Sequence, residues 1–184
     1  ANNGGGHITV QKDAAVTETA TLPSGGTLVI PEGREVTTNG KLTNNGTISN
    51  DGTITGNLTN GGKLVNNGDL NGGLTNSGTV EGGSITGNVT NTGSISDSTI
   101  GGTTTQTGGT LIDCVVGKNV SGGKLEGYIY ADDGVSFSGV DASDATVNIK
   151  GGSSGFAGLT STGSDGETVL DANIIVRETV TLGG

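Results

Sequence analysis

Aromatic side chains are nearly missing from this chain: two Tyr, two Phe and no Trp among 184 residues. Methionine is absent, proline occurs twice, and apolar residues reach only 29% while glycine alone numbers 38. Such a composition argues against a compact core built from large side chains. Abundant Gly and β-branched residues disfavour helix, and scarcely any stretch carries apolar residues at i, i+3, i+4 and i+7. Disorder is disfavoured as well, because only 14% of residues are charged and the aliphatic ones return on a schedule. Repetitive β structure remains.

Cations are also scarce. The eight of them, Lys12, Arg34, Lys41, Lys63, Lys118, Lys124, Lys150 and Arg177, are scattered along a chain of net charge −10, so no nucleic-acid partner is expected. One cysteine, Cys114, lies in the apolar run Leu111–Val116, where it forms no internal disulfide and reads as a small buried apolar residue. No apolar run approaches the roughly 20 residues of a membrane span, and no secretion signal or lipidation motif is present. This segment is expected not to insert into a membrane and to be part of a longer chain.

What is there is a repeat. Leu42–Asn57 reads LTNNGTISNDGTITGN and Leu58–Gly73 reads LTNGGKLVNNGDLNGG, a period of about 16 residues, and two shorter copies follow from Leu74 and Val89. Each copy carries three apolar positions: Leu42, Leu58, Leu74 and Val89, then Ile48, Leu64, Val80 and Ile95, then Ile54, Leu70, Ile85 and Ile100. Three inward anchors per copy imply three short strands per coil. Gly46, Gly62, Gly78 and Gly93 mark one corner, Gly56, Gly72, Gly87 and Gly102 another, and these are expected to supply positive-φ turns. The fold expected is an all-β, single-stranded parallel β-solenoid with coils about 4.8 Å apart. Stacking would place Asn44, Asn60, Asn76 and Asn91 above one another as an amide ladder along one edge.

The regular solenoid is expected over 27–103, preceded by an opening strand or cap over 1–26 and followed by a less regular continuation over 104–172. Val120, Leu125, Ile129, Val135, Val140, Val147 and Ile149 keep returning at short intervals there. Glu18–Leu22 (ETATL) is echoed by Glu178–Leu182 (ETVTL), so 173–184 reads as a terminal strand that could open a further module.

Leu28–Gly33 (LVIPEG) followed by Asn39–Ile48 (NGKLTNNGTI) resembles segments of large bacterial surface and adhesin-like proteins built as right-handed parallel β-helices of the pectin-lyase-like class. The resemblance covers about Thr27 to Gly102 and implies handedness and an extracellular location rather than an activity. The coil is shorter than is usual for that class, which keeps a narrow, left-handed solenoid open as an alternative.

Catalytic chemistry is hard to assemble. Between Leu42 and Thr103 the only charged residues are Asp51, Lys63, Asp69, Glu81 and Asp97, at unlike places in the repeat. Gly151–Gly155 satisfies G-x-S-x-G, but the sole histidine, His7, lies far away in the chain. No Gly-Lys pair has phosphate-loop spacing. Asp132, Asp133, Asp141 and Asp144, and again Asp165, Glu167 and Asp171, are dense enough to raise calcium as a cofactor, with no EF-hand or glycine-rich calcium motif behind it. No enzyme is expected.

Recognition is expected at Tyr128 and Tyr130, which flank Ile129. Strand alternation turns both rings outward if Ile129 is the anchor, with Asp132 and Asp133 in the next corner to bind sugar hydroxyls. The leading function is a cell-surface stalk or adhesin segment, with surface glycans or host surface proteins as partners. A glycan-binding module on the two tyrosines is the alternative, separable by a glycan array. Ice binding is a remote third, suggested by the column Thr43, Thr59, Thr75, Thr90 and Thr105 and weakened by a mixed second rank, Asn45, Gly61, Ser77, Thr92 and Thr107.

Overall fold

The computed structural model describes residues 5–150, 159–162, 168–170 and 173–176. Up to Ser121 strands of two to four residues alternate with tight corners, and each pairs in parallel with its counterparts in the neighbouring coils. The longer Lys124–Ala131 and Asp141–Ile149 continue the stack, and Thr160–Thr162 and Thr168–Leu170 form a separate antiparallel pair. The result is a three-sided parallel β-solenoid. Face A stacks Thr27–Ile30, Thr47–Asn50, Lys63–Asn66, Thr79–Glu81, Ser94–Ser96 and Thr110–Ile112. Face B stacks Glu35–Thr37, Thr53–Thr55, Asp69–Asn71, Ser84–Ile85, Thr99–Ile100 and Val115–Val116. Face C is an eight-stranded sheet running from Ala20–Leu22 to Phe137–Ser138.

Alternation within each short strand sets the core. Leu58, Leu64 and Leu70 point inward from faces C, A and B of one coil and are at most 1% exposed. Their counterparts in the neighbouring coils, Leu42, Ile48 and Ile54 below and Leu74, Val80 and Ile85 above, are buried in register with them. The stack already includes the segment before residue 27: His7–Thr9, Ala14–Ala15 and Ala20–Leu22 pair with Thr27–Val29, Val36–Thr37 and Leu42–Asn44. Longer corners in this first coil hide it from a search at the regular spacing. Downstream, Val120, Leu125, Ile129, Val135, Val147 and Ile149 all point inward, while Val140 is half-buried.

The corner glycines serve a different purpose from the one expected. Gly46, Gly62, Gly78 and Gly93 do not have positive φ. They are glycine because a Cβ on Gly62 would run into the carbonyl oxygen of Gly46, one on Gly78 into that of Gly62, and one on Gly93 into that of Gly78. The other column, Gly72, Gly87 and Gly102, is closed by the same approach to the coil below, and only Gly56 there is left-handed, at φ 101°. Left-handed residues instead stack where face A meets face B, at Gly82, Asp97, Asp113 and Gly127 (φ 78°, 53°, 51° and 65°).

The asparagine ladder lies inside the coil rather than along an edge: Asn44, Asn60, Asn76 and Asn91 are at most 1% exposed. Each Nδ2 donates to the next amide oxygen, at 2.6 Å (Asn44 to Asn60), 2.8 Å (Asn60 to Asn76) and 2.9 Å (Asn76 to Asn91), and Gln106 Oε1 extends the run at 3.1 Å. A second, shorter ladder joins Asn50 Nδ2 to Asn66 Oδ1 at 2.7 Å. Two members are too few to stand out in a sequence where Asn also fills the corners.

Two buried side chains break the pattern and carry predictions. Thr104 occupies the face C anchor position between Val89 and Val120, is 0% exposed, and among the described residues its Oγ1 has no hydrogen-bond partner. Thr104→Val keeps the shape and removes the orphaned hydroxyl, so urea unfolding should show a gain of about 1 kcal/mol. A loss would place a partner on that hydroxyl.

Cys114 is fully buried, and burial is the main reason its thiol is pushed up to about 11 from an ordinary 9.0. The folded pKa is the raised one, so the stability linked to this thiol is complete below pH 9 and is lost as pH rises towards 11. Thermal melts at pH 8 and 10.5 should therefore converge between parent and Cys114→Ala, the parent losing more on going to high pH. Equal losses would refute the linkage.

Candidate binding surface around Tyr128 and Tyr130

Beyond Val120 one corner disappears. Lys124–Ala131 runs as a single eight-residue strand that pairs with Thr110–Ile112 of face A and Val115–Val116 of face B. Gly127, at φ 65°, makes the bend between the two halves, and Asp113 Oδ1 accepts the Tyr128 N–H at 2.8 Å. The second half of the strand is thereby held on face B, in register with Thr146–Ile149.

Ile129 is 0% exposed, and Tyr128 and Tyr130 stand outward, 54% and 39% exposed. Two phenols two residues apart on one strand form a strip of aromatic surface in a chain that has few such rings. Pairing brings further side chains beside them that sequence reading missed. Tyr130 lies between Val115 and Asn148, with the exposed Ile175 one strand beyond, and Tyr128 lies beside Thr146. Asn148 is 6% exposed, and among the described residues its Oδ1 has no hydrogen-bond partner. Extending the coil period past Thr104 could have found these neighbours, but coil length changes there.

Asp132 and Asp133 are exposed in the corner that follows Ala131, Asp132 lying 3.9 Å from Lys150 Nζ. Glu126, on the same strand as the tyrosines, is held by Lys124 at 2.9 Å, and Lys124 also reaches Asp144 at 2.7 Å. Hydrogen bonds to Asp144 first and Glu126 second keep the Lys124 ammonium above its ordinary range. Asp141 accepts from the Ser143 hydroxyl at 2.7 Å and from its N–H at 3.1 Å, which lowers its pKa.

These partners divide the acids considered for calcium: Asp144 is turned to Lys124 and Asp141 to Ser143. Among the described residues, no three His, Cys, Asp or Glu side chains converge as a metal site. Asp165, Glu167 and Asp171, the Gly151–Gly155 motif and the Glu178–Leu182 echo lie outside the described residues. His7 has Thr9 Oγ1 3.4 Å from its Nε2.

On face C, Thr43, Thr59, Thr75, Thr90 and Thr105 form one outward column in register. The column runs on from Thr21 below to Ser121 and Ser138 above. Among the described residues no helix is long and apolar enough to cross a membrane. Comparison with protein-family models, with curated proteins and with solved structures finds no match to the chain.

Proposed function

We propose that this chain is a non-enzymatic, extracellular structural segment of a bacterial surface protein, of the right-handed pectin-lyase-like kind, working as a stalk or adhesin spacer. The observation that carries the reading is the unbroken parallel stack, in which every coil from His7 to Ile149 pairs its strands with the next. Such a stack gains length by about 4.8 Å per coil and needs no partner to hold it straight, which suits spacing and presentation. An acidic, cation-poor surface suits contact with glycans or host proteins rather than nucleic acid. Antibody raised against the folded chain should label intact cells that make the parent protein. Labelling only after cell lysis would sink the location, and reproducible turnover in a polysaccharide hydrolase and lyase screen would sink the non-enzymatic reading.

A second reading, glycan binding, is favoured by the exposure of Tyr128 and Tyr130 beside Asp132 and Asp133. Each ring stacked on a sugar contributes about 1 kcal/mol, so Tyr128→Ala with Tyr130→Ala should weaken binding on a glycan array about thirtyfold. Binding that survives the double replacement would leave the spacer role alone.

A further inference from the structure

We propose that Asn57, Asn88 and Asn119 are acceptors for N-linked sugar, carried one on every second coil along one corner of face C. The three residues open the tripeptides Asn57-Leu58-Thr59, Asn88-Val89-Thr90 and Asn119-Val120-Ser121, each of the form N-x-S/T. Strand pairing puts them in one column. Leu58 and Val89 both pair with Leu74, and Val89 and Val120 both pair with Thr104, so two coils, about 10 Å, separate successive members.

In each tripeptide the middle side chain, the first of its strand, is buried at 1% exposed, while the corner Asn before it and the Thr or Ser after it lie on the outer side, Thr59 and Thr90 exposed and Ser121 half-buried. Asn57, Asn88 and Asn119 are all exposed. Their amides are also held alike. Asn57 Oδ1 accepts the Gly73 N–H at 2.8 Å, Asn88 Oδ1 the Thr103 N–H at 3.0 Å, and Asn119 Oδ1 the Ser136 N–H at 3.1 Å. The bond from coil to coil uses only the oxygen, which leaves Nδ2, the atom that would be modified, outside the ladder of the fold. A glycosylated amide keeps its carbonyl oxygen as an acceptor, so the stack accommodates the modification without losing a bond.

Between Asn57 and Asn88 the corner carries Gly73, and the three border a shallow groove of about 390 Å³ with Thr59, Thr75 and Thr90 along its side. That is room for a first sugar lying against hydroxyls. A fourth N-x-T tripeptide, Asn45-Gly46-Thr47, stands outside the column. The reaction needs a glycosyl diphosphate donor and a transferase. Nδ2 attacks the anomeric carbon, the C–N bond forms as the bond to the diphosphate oxygen breaks, the diphosphate leaves with the electron pair, and an amide proton passes to a base of the transferase.

This inference rests on the extracellular reading, and the test separates the two. The chain is recovered from its own cells and mapped by peptide mass spectrometry, while surface protease treatment of the same cells reports its location. Sugar on Asn57, Asn88 and Asn119 is the expected result, with Thr59→Ala, Thr90→Ala and Ser121→Ala each removing one site while leaving the Asn bonds in place. Bare amides at all three positions, or sugar confined to Asn45, overturn the proposal. A surface-exposed chain with bare amides leaves the spacer reading standing, whereas a chain shielded inside the cell overturns that reading independently.

Discussion

Leu64→Asp is expected to cost about 5 kcal/mol at pH 7 and to unfold neighbouring coils together. Leu64 is 0% exposed, sandwiched between Ile48 in the coil below and Val80 in the coil above. Two costs add. Loss of the side chain leaves a cavity, at about 2–5 kcal/mol for Leu to a small residue, and the introduced carboxyl has no donor facing it in an aliphatic column. Each coil in a solenoid is stabilised mainly by its neighbours, so damage to one removes the template for the next on both sides. Burial raises the pKa of the introduced carboxyl in the folded state, which makes the penalty smaller below pH 4 and complete once pH passes that raised value. Thermal melts at pH 3.5 and 7 check both parts. A melt at pH 7 that matches the parent would show that Leu64 does not face the core.

Much of this fold is legible in the amino-acid sequence, because the evenly spaced anchors Leu58, Leu64 and Leu70 report both the number of faces and the inward direction on each. Side-chain period is a local property, and it carries through unchanged to burial. What is not local is lost. The glycine at 62 is explained by the carbonyl of Gly46, one full coil earlier, and nothing in its immediate neighbours says so. The first coil is invisible to a periodicity search because Ala20 pairs with Leu42, a longer step along the chain than the regular ones from Leu58 to Leu74 and from Leu74 to Val89.

The candidate surface shows the same division. Outward Tyr128 and Tyr130 follow from alternation about Ile129, but Val115 and Ile175 reach Tyr130 only through strand pairing across coils of unequal length. Asp113 is another case: read as part of an apolar run, it takes a left-handed conformation and holds the Tyr128 N–H. The column of Asn57, Asn88 and Asn119 skips a coil at each interval, so its members line up only once strand pairing has fixed both coil lengths in between.

Asn60→Leu is expected to cost about 3–5 kcal/mol, far more than an equivalent change at the ladder's end. Asn60 is 0% exposed and sits mid-ladder, so its amide serves both directions. Removing it takes the acceptor from Asn44 Nδ2 and the donor from Asn76 Oδ1, and it strips the Thr79 carbonyl of a bond made at 3.0 Å. Asn76 Oδ1 and the Thr79 carbonyl are left short, each at about 1–3 kcal/mol, while Asn44 Nδ2 keeps its bond to the Lys63 carbonyl at 2.9 Å, and the apolar contacts of the new side chain offset part of the loss. Gln106→Leu removes the acceptor from Asn91 Nδ2 and the donor to the Gly122 carbonyl at 3.2 Å, with a long 3.5 Å bond to the Lys124 carbonyl, while Asn91 keeps its bond to the Thr110 carbonyl at 3.2 Å. Its cost should be about 1–2 kcal/mol, also with Gln106 4% exposed. Asn60→Asp distinguishes volume from hydrogen bonding: the side chain still accepts from Asn44 but sets an oxygen against Asn76 Oδ1, so it should be as damaging as Leu at pH 7 and recover as the carboxyl is protonated. Urea unfolding of the three variants reads the order directly. Equal costs at the middle and the end of the ladder would mean that its members act as separate corner residues, with no coupling from coil to coil.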